Sequence, residues 1–262
     1  MEHPIFTLEH GTAPLLISLP HDGSTIPDDI AARMQPAARR SVDTDWHVGR
    51  LYAPLAEALG ASVLRPVMSR YVVDLNRPAD GRALYPGRRE TGLVPTIGFD
   101  GMPLYADGAE PDAHDVARRV EAFWRPYHLA LQEELAGLKG IHGRVVLWEG
   151  HSIRSVVPML FDGRLPDFNL GTADGASCAE PLRQRLAERL AGQATYTHVV
   201  DGRFKGGYIT RHYGRPADGV QAVQLELAQC NYMDEDTLDY RADLAIAVQT
   251  LIGDLLRCCL GG

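Results

Sequence analysis

Apolar residues recur along this chain with two periods, and the alternation between them predicts its architecture. Short apolar runs of strand length, bounded by turn formers, lie at Leu16–Leu19, Ser62–Val67, Tyr71–Leu75, Val145–Trp148, Thr195–Val199 and Val220–Leu227. Between them, spacings of three and four predict helices. The first covers Ile26–Ala38, opened by Pro27 with the acidic pair Asp28 and Asp29 in its first turn. Val48–Leu59 follows, stopping at Gly60 and capped by Asp43 or Asp45. Glu110–Leu138 carries the clearest stripe, from Val116 through Tyr127 and Leu131 to Leu138, and ends at Gly140. Leu182–Leu190 and Asp236–Leu260, the latter closed by Gly261, complete the set. Strands alternating with long helices predict an α/β sandwich with a mostly parallel or mixed sheet. Neither linker nor internal repeat interrupts it, so one domain over residues 1–262 is expected. From Asn76 to Leu104, Pro and Gly recur without periodicity, which predicts a long functional loop.

The 262 residues are 45% hydrophobic and 23% charged, enough for a sizeable core and close to the globular average, which excludes a disordered or fibrous chain. No apolar run approaches the roughly 20 residues that span a bilayer, and the opening Met-Glu-His-Pro lacks a basic stretch followed by an apolar one. A cytoplasmic protein is expected. Cys178, Cys230, Cys258 and Cys259 show no Cys-x-x-Cys spacing and read as reduced, structural residues. A formal net charge of -8 disfavours a nucleic-acid partner. Against that balance, Arg65, Arg70, Arg77, Arg82, Arg88 and Arg89 crowd one segment, opposed only by Asp74, Asp80 and Glu90. Local positive charge suits a small anionic ligand, and the guanidinium fork suits a carboxylate. Nothing in the pattern sets the oligomeric state.

Chemistry concentrates at strand ends. Side chains just beyond the carboxyl ends of strands line the ligand crevice of an open α/β sheet. His21 follows the first strand, His151 follows Val145–Trp148, and Glu226 lies near the end of Val220–Leu227. Two histidines and a carboxylate make a catalytic metal site with one position left for water. Asp45, Asp43, Glu149 and Glu226 are the candidate carboxylates. Glu149 stands two residues before His151, on the same face of a strand, and so could instead orient an imidazole. His47, Asp74 and His212 are weaker competitors, Asp74 being as well suited to a backbone amide of its own turn. Arg77 could grip a carboxylate through two parallel bonds, with Asn76 adding a third.

Five motifs in order carry a resemblance. They are Ser18-Leu19-Pro20-His21-Asp22-Gly23, Asp43-Thr44-Asp45-Trp46-His47, Ser69-Arg70-Tyr71-Val72-Val73-Asp74-Leu75-Asn76-Arg77-Pro78, Gly150-His151-Ser152 and Gly206-Gly207-Tyr208-Ile209-Thr210-Arg211-His212-Tyr213-Gly214. Together, from about Leu15 to Leu255, they resemble the N-formylglutamate amidohydrolase (N-formylglutamate deformylase) family, itself similar to zinc carboxypeptidases and aspartoacylase. The resemblance implies a three-layer α/β/α sandwich of the zinc-carboxypeptidase type and a divalent metal, first of all Zn2+, with Co2+, Mn2+ or Fe2+ also acceptable to such ligands. It implies hydrolysis of N-formyl-L-glutamate to formate and L-glutamate at the end of histidine breakdown. It assigns His21 and His151 to the metal, Asn76 and Arg77 to a substrate carboxylate, and Glu226 to the general base. The superfamily's Glu ligand three residues after the first His is Ser24 here, so the carboxylate comes from elsewhere: Asp45 first, then Asp43 or Glu149. On this reading Arg211 or Arg70 favours the tetrahedral intermediate, and the second substrate carboxylate falls to Arg70, Arg88 or Arg89. The alternatives are another metal-dependent N-acyl amino-acid amidohydrolase, a carboxypeptidase, or a carboxylate-binding module that has lost the metal.

Overall fold

Leu15, Leu16 and Ile17 are all fully buried, so the strand they form is apolar on both faces, as a central strand covered by helices on each side must be. The computed structural model, which describes residues 4–84, 87 and 90–261, builds seven strands into one sheet. In chain order the elements are β1 (Phe6–Glu9), β2 (Leu15–Ser18), α1 (Asp28–Ala31), α2 (Val48–Leu59), β3 (Ser62–Pro66), α3 (Ala113–Arg119) and α4 (Arg125–His142). Then come β4 (Val145–Ile153), β5 (Phe168–Gly171), α5 (Glu180–Ala191), β6 (His198–Val200), α6 (Tyr208–Tyr213), β7 (Val220–Ala228) and α7 (Ala242–Leu260). The strand order is β1-β3-β2-β4-β7-β5-β6. β3, β2, β4 and β7 run parallel, while β1 and β5 pair antiparallel to β3 and β7. This is the expected mixed, mostly parallel sheet.

Alternation along the strands sorts the core into two layers. Leu15, Ile17, Trp148, Val223 and Leu225 pack with the buried faces of α2, α5 and α7. Leu16, Val145, Leu147 and Ala222 face the other way, onto Tyr127, Leu131 and Leu135 of α4 and Ile209 of α6. The α4 face is the one that carries Glu149, His151 and Glu226 at the ends of β4 and β7. Among the described residues no helix is long and apolar enough to cross a membrane, and all four cysteines are free.

Several elements depart from the sequence pattern. Tyr71–Leu75 is a turn, not a strand: Ser69 accepts the Tyr71 amide on its side chain and the Val72 amide on its carbonyl. The turn still buries Tyr71 and Val72, against Ile30, Met34 and Leu104. The helix expected over Ile26–Ala38 shrinks to α1 plus a 3-10 turn at Ala38–Arg40, and α7 begins at Ala242 instead of Asp236. Glu110–Leu138 breaks into α3 and α4 around a π-helical segment at Val120–Trp124. Pro126 has no amide to return to residue 122, and the wider π bonding absorbs that gap. Neither Asp43 nor Asp45 caps α2. Asp22 does, accepting the Gly49 amide at 2.9 Å while it pairs with Arg65. β1, β5 and α6 are too short to announce themselves by periodicity.

Candidate active site

Three residues far apart in the chain converge at the carboxyl ends of β2 and β4. His21 leaves β2 in a turn whose carbonyl accepts the Asp45 amide at 3.0 Å, so the two side chains are delivered together. His151 comes from β4, and its ring centre lies 4.8 Å from that of His21. Asp45 Oδ2 is 2.9 Å from His151 Nδ1 and 3.7 Å from His21 Nδ1, and it also accepts the Ser152 amide at 3.1 Å. One donor atom from each of His21, Asp45 and His151 falls within 4.8 Å of the others, and all three residues are buried.

Each imidazole has a carboxylate on its far nitrogen. His21 Nε2 donates to Asp74 Oδ1 at 2.7 Å, and His151 Nε2 donates to Glu149 Oε1 at 2.8 Å. Such partners set the tautomer and orientation of metal-binding histidines. Both carboxylates are held in turn. Arg70 donates to Asp74 at 2.8 Å, and the Thr210 hydroxyl and amide at the start of α6 both bond Glu149. Asp74 also accepts the Asn76 amide of its own turn at 2.9 Å, the turn role weighed for it, and it orients His21 instead of joining the donor cluster itself. Two imidazoles, a carboxylate and secured outer partners are a donor set that fits a divalent cation.

Burial and charge shape these groups. Burial raises the Asp74 carboxyl, but His21 and Arg70 outweigh it and hold it well below the usual carboxylate range. Burial also opposes charge on His151, yet Asp45 and Glu149 hold its pKa well above the ordinary histidine value. His21 goes the other way, lowered by burial and by Arg70, which leaves it a neutral donor. Glu226 lies across the β4–β7 register from His151. Burial, reinforced by Asp45 and Glu149, pushes its carboxyl up to about 8 against the pull of His151 and Arg70.

These groups open on a cavity that also holds Arg70, Asn76, Arg77 and Glu226, with Phe99, Ile153, Leu160 and Phe204 as an apolar wall. Of the residues singled out in the sequence, His21, Asp45, Asn76, Arg70, Arg77, His151 and Glu226 therefore meet at one place. Arg77 pairs there with Glu90, and Asn76 accepts the Ile209 amide at 2.9 Å. Arg211 is not among the lining residues; its Nε donates to the Gly206 carbonyl at 2.8 Å. Arg88 and Arg89 lie outside the described residues. Asp43 turns to the Phe99 amide, and His47 bonds the Leu238 carbonyl away from the site. Ser24, in the position where the superfamily has a Glu, is exposed. Sequence reasoning missed Gln224, Arg203 and Phe204. Gln224 was within reach, since it stands two residues before Glu226 on β7 and so shares its face.

A mixed α/β sheet with a buried His/Asp/His cluster and a carboxyl of raised pKa at its strand ends defines a hydrolytic enzyme whose donor set can hold a metal. The N-formylglutamate amidohydrolase family model matches residues 13–233, and the chain belongs to that family. It is 53% identical to the N-formylglutamate deformylase of Pseudomonas aeruginosa and 48% identical to that of Pseudomonas putida, in each case over 98% of this chain and 96% of the relative. The crystal structure of N-formylglutamate amidohydrolase from Ralstonia eutropha JMP134 superposes with a TM-score of 0.80 at 28% identity, covering 97% of this chain and 96% of that one.

Proposed function

We propose that this chain is a metal-dependent amidohydrolase that cleaves N-formyl-L-glutamate to formate and L-glutamate, the closing step of histidine breakdown in the cytoplasm, and that residues 1–262 act as one catalytic domain. The observation that carries the chemistry is the convergence of His21, Asp45 and His151 on a cavity that also holds Glu226 and arginines. His21, Asp45 and His151 would hold the ion, with Zn2+ expected and Co2+, Mn2+ or Fe2+ acceptable to the same donors. Bound there, a divalent cation supplies Lewis acidity toward a carbonyl oxygen and acidifies water.

The remaining roles belong to side chains. Glu226, facing the cavity across the strand register from His151, takes the proton of the attacking water and returns it to the leaving amine. Arg70, fixed by Asp74 and 3.9 Å from Asp45, is the buried cation beside the reacting centre and favours the charge that develops on the former carbonyl oxygen. Its position suits that role better than Arg211's. Arg77, aided by Asn76, takes the α-carboxylate in place of Glu90.

A panel of N-formyl, N-acetyl and N-succinyl amino acids, run with metal analysis of the purified protein, tests the reading. It requires bound metal and a strong preference for N-formylglutamate. Equal turnover of the acetyl or succinyl compounds would make the chain a broader N-acyl amidohydrolase instead.

A further inference from the structure

We infer that Arg203 is the specificity-determining residue that reads the side-chain carboxylate of the glutamyl group, an assignment that rests on the deformylase reading above. Three guanidinium groups line the cavity among the described residues, and two serve its polar side: Arg70 is bonded to Asp74, and Arg77 adjoins Asn76, whose amide lies 3.0 Å from His151. Arg203 stands beside the apolar lining residues Leu160 and Phe204. Its Nε donates to the Leu160 carbonyl at 2.9 Å, and its guanidinium carbon stands 5.2 Å from the centre of the Phe204 ring. Leu160 and Phe204 join Phe99 in packing against the buried cluster of Ile153, Val157 and Leu165. A glutamyl group presents two methylenes and then a carboxylate, so its recognition calls for an apolar strip that ends in a cation. The 203–204 segment supplies that sequence of surfaces.

The loop that carries Arg203 is built to hold it. Asp201 adopts φ 53°, in the left-handed region that non-glycine residues avoid, and Ala173 and Asp174 opposite it adopt 52° and 58°. Asp201 compensates by accepting the Thr172 amide and hydroxyl, each at 2.7 Å, and Arg183 at 3.1 Å. Further along, the Ala173 amide bonds the Lys205 carbonyl at 2.6 Å, and the Gly207 amide bonds Gln224 at 2.7 Å. A strained backbone kept in place by this many partners is the pattern of a positioned recognition loop.

The test compares wild type, R203M and R203K on N-formylglutamate and on N-formylglutamine, which has the same length without the charge. R203M should lower kcat/KM for N-formylglutamate on the order of 30-fold, mostly through KM, leave N-formylglutamine within about twofold, and be partly rescued by R203K. R77A should weaken both substrates alike, since they share the α-carboxylate. Equal losses on both substrates in R203M, or none on either, would overturn the assignment. Calorimetric binding of L-glutamate against L-glutamine separates the two readings without turnover. A wild type that prefers glutamate but deformylates nothing sinks the activity alone, whereas a preference that survives in R203M sinks the role of Arg203.

Discussion

Asp74 Oδ1 stands 2.7 Å from His21 Nε2, and this contact decides which nitrogen of His21 faces the site. An ionised carboxylate only accepts, so Nε2 carries the proton and Nδ1 presents its lone pair toward Asp45 and His151. Replacing Asp74 with Asn removes the charge and lets the imidazole take either tautomer. Asp74→Asn is expected to weaken metal binding by roughly 10- to 100-fold, the usual effect of losing such a partner. Competition with a chromogenic chelator measures it, and an unchanged affinity would show that His21 needs no such anchor.

Glu226 differs in kind from the three grouped donors, for it faces the cavity beside them without belonging to the cluster. Glu226→Gln keeps the shape and removes the base. Metal content should be retained while kcat falls by about 10²- to 10⁴-fold, the range of a lost general acid–base group. A variant within tenfold of wild type would take Glu226 out of the proton path.

Gly207 matters for space. Its φ is not positive, yet a Cβ there would collide with the side-chain amide of Asn76, whose Oδ1 anchors α6 through the Ile209 amide. Gly207→Ala should push Asn76 away from His151 and disturb the Thr210–Glu149 contact behind it, lowering kcat/KM at least tenfold with little loss of helical content. The magnitude follows from the sensitivity of such sites to shifts of about 1 Å. Circular dichroism alongside kinetics distinguishes this from unfolding, and full activity would mean that the loop yields freely.

What could be seen in the chain before its structure depended on period. β4 and β7 each run nine residues, and a repeat of two puts Glu149 with His151 and Gln224 with Glu226 on one face, so the strand-end chemistry was legible. The α2, α5 and α7 stripes were legible for the same reason. Asp45 was harder to separate from Asp43 because both lie in an irregular turn. What separates them is the bond from the Asp45 amide to the His21 carbonyl, while Asp43 is drawn to Phe99. Tyr71–Leu75 has strand composition but is closed into a turn by Ser69 and Asp74, two polar side chains whose partners no window of sequence discloses. Arg203 reaches the cavity through Asp201, whose partners Thr172 and Arg183 lie 29 and 18 residues away.

His128, on α4, offers a test remote from the metal ligands. It is buried between the Leu75 carbonyl, 2.8 Å from Nε2, and the Tyr213 hydroxyl, 2.9 Å from Nδ1, with Trp124 stacked at 3.7 Å. Nε2 donates to the carbonyl and Nδ1 accepts from the hydroxyl, the arrangement of a neutral ring. Burial, with His212 nearby, lowers its pKa to about 3 from the ordinary 6.5. Between those values the unfolded chain binds a proton that the folded chain refuses, so stability rises with pH across the window and is lost as pH falls below 6.5. The slope from this group is about 1.4 kcal/mol per pH unit. His128→Gln should be less stable than wild type at pH 7, having lost ring stacking, but should lose less on going from pH 6 to pH 4. Urea unfolding at several pH values gives the difference, and parallel pH profiles for the two proteins would mean that His128 takes up a proton in the folded state.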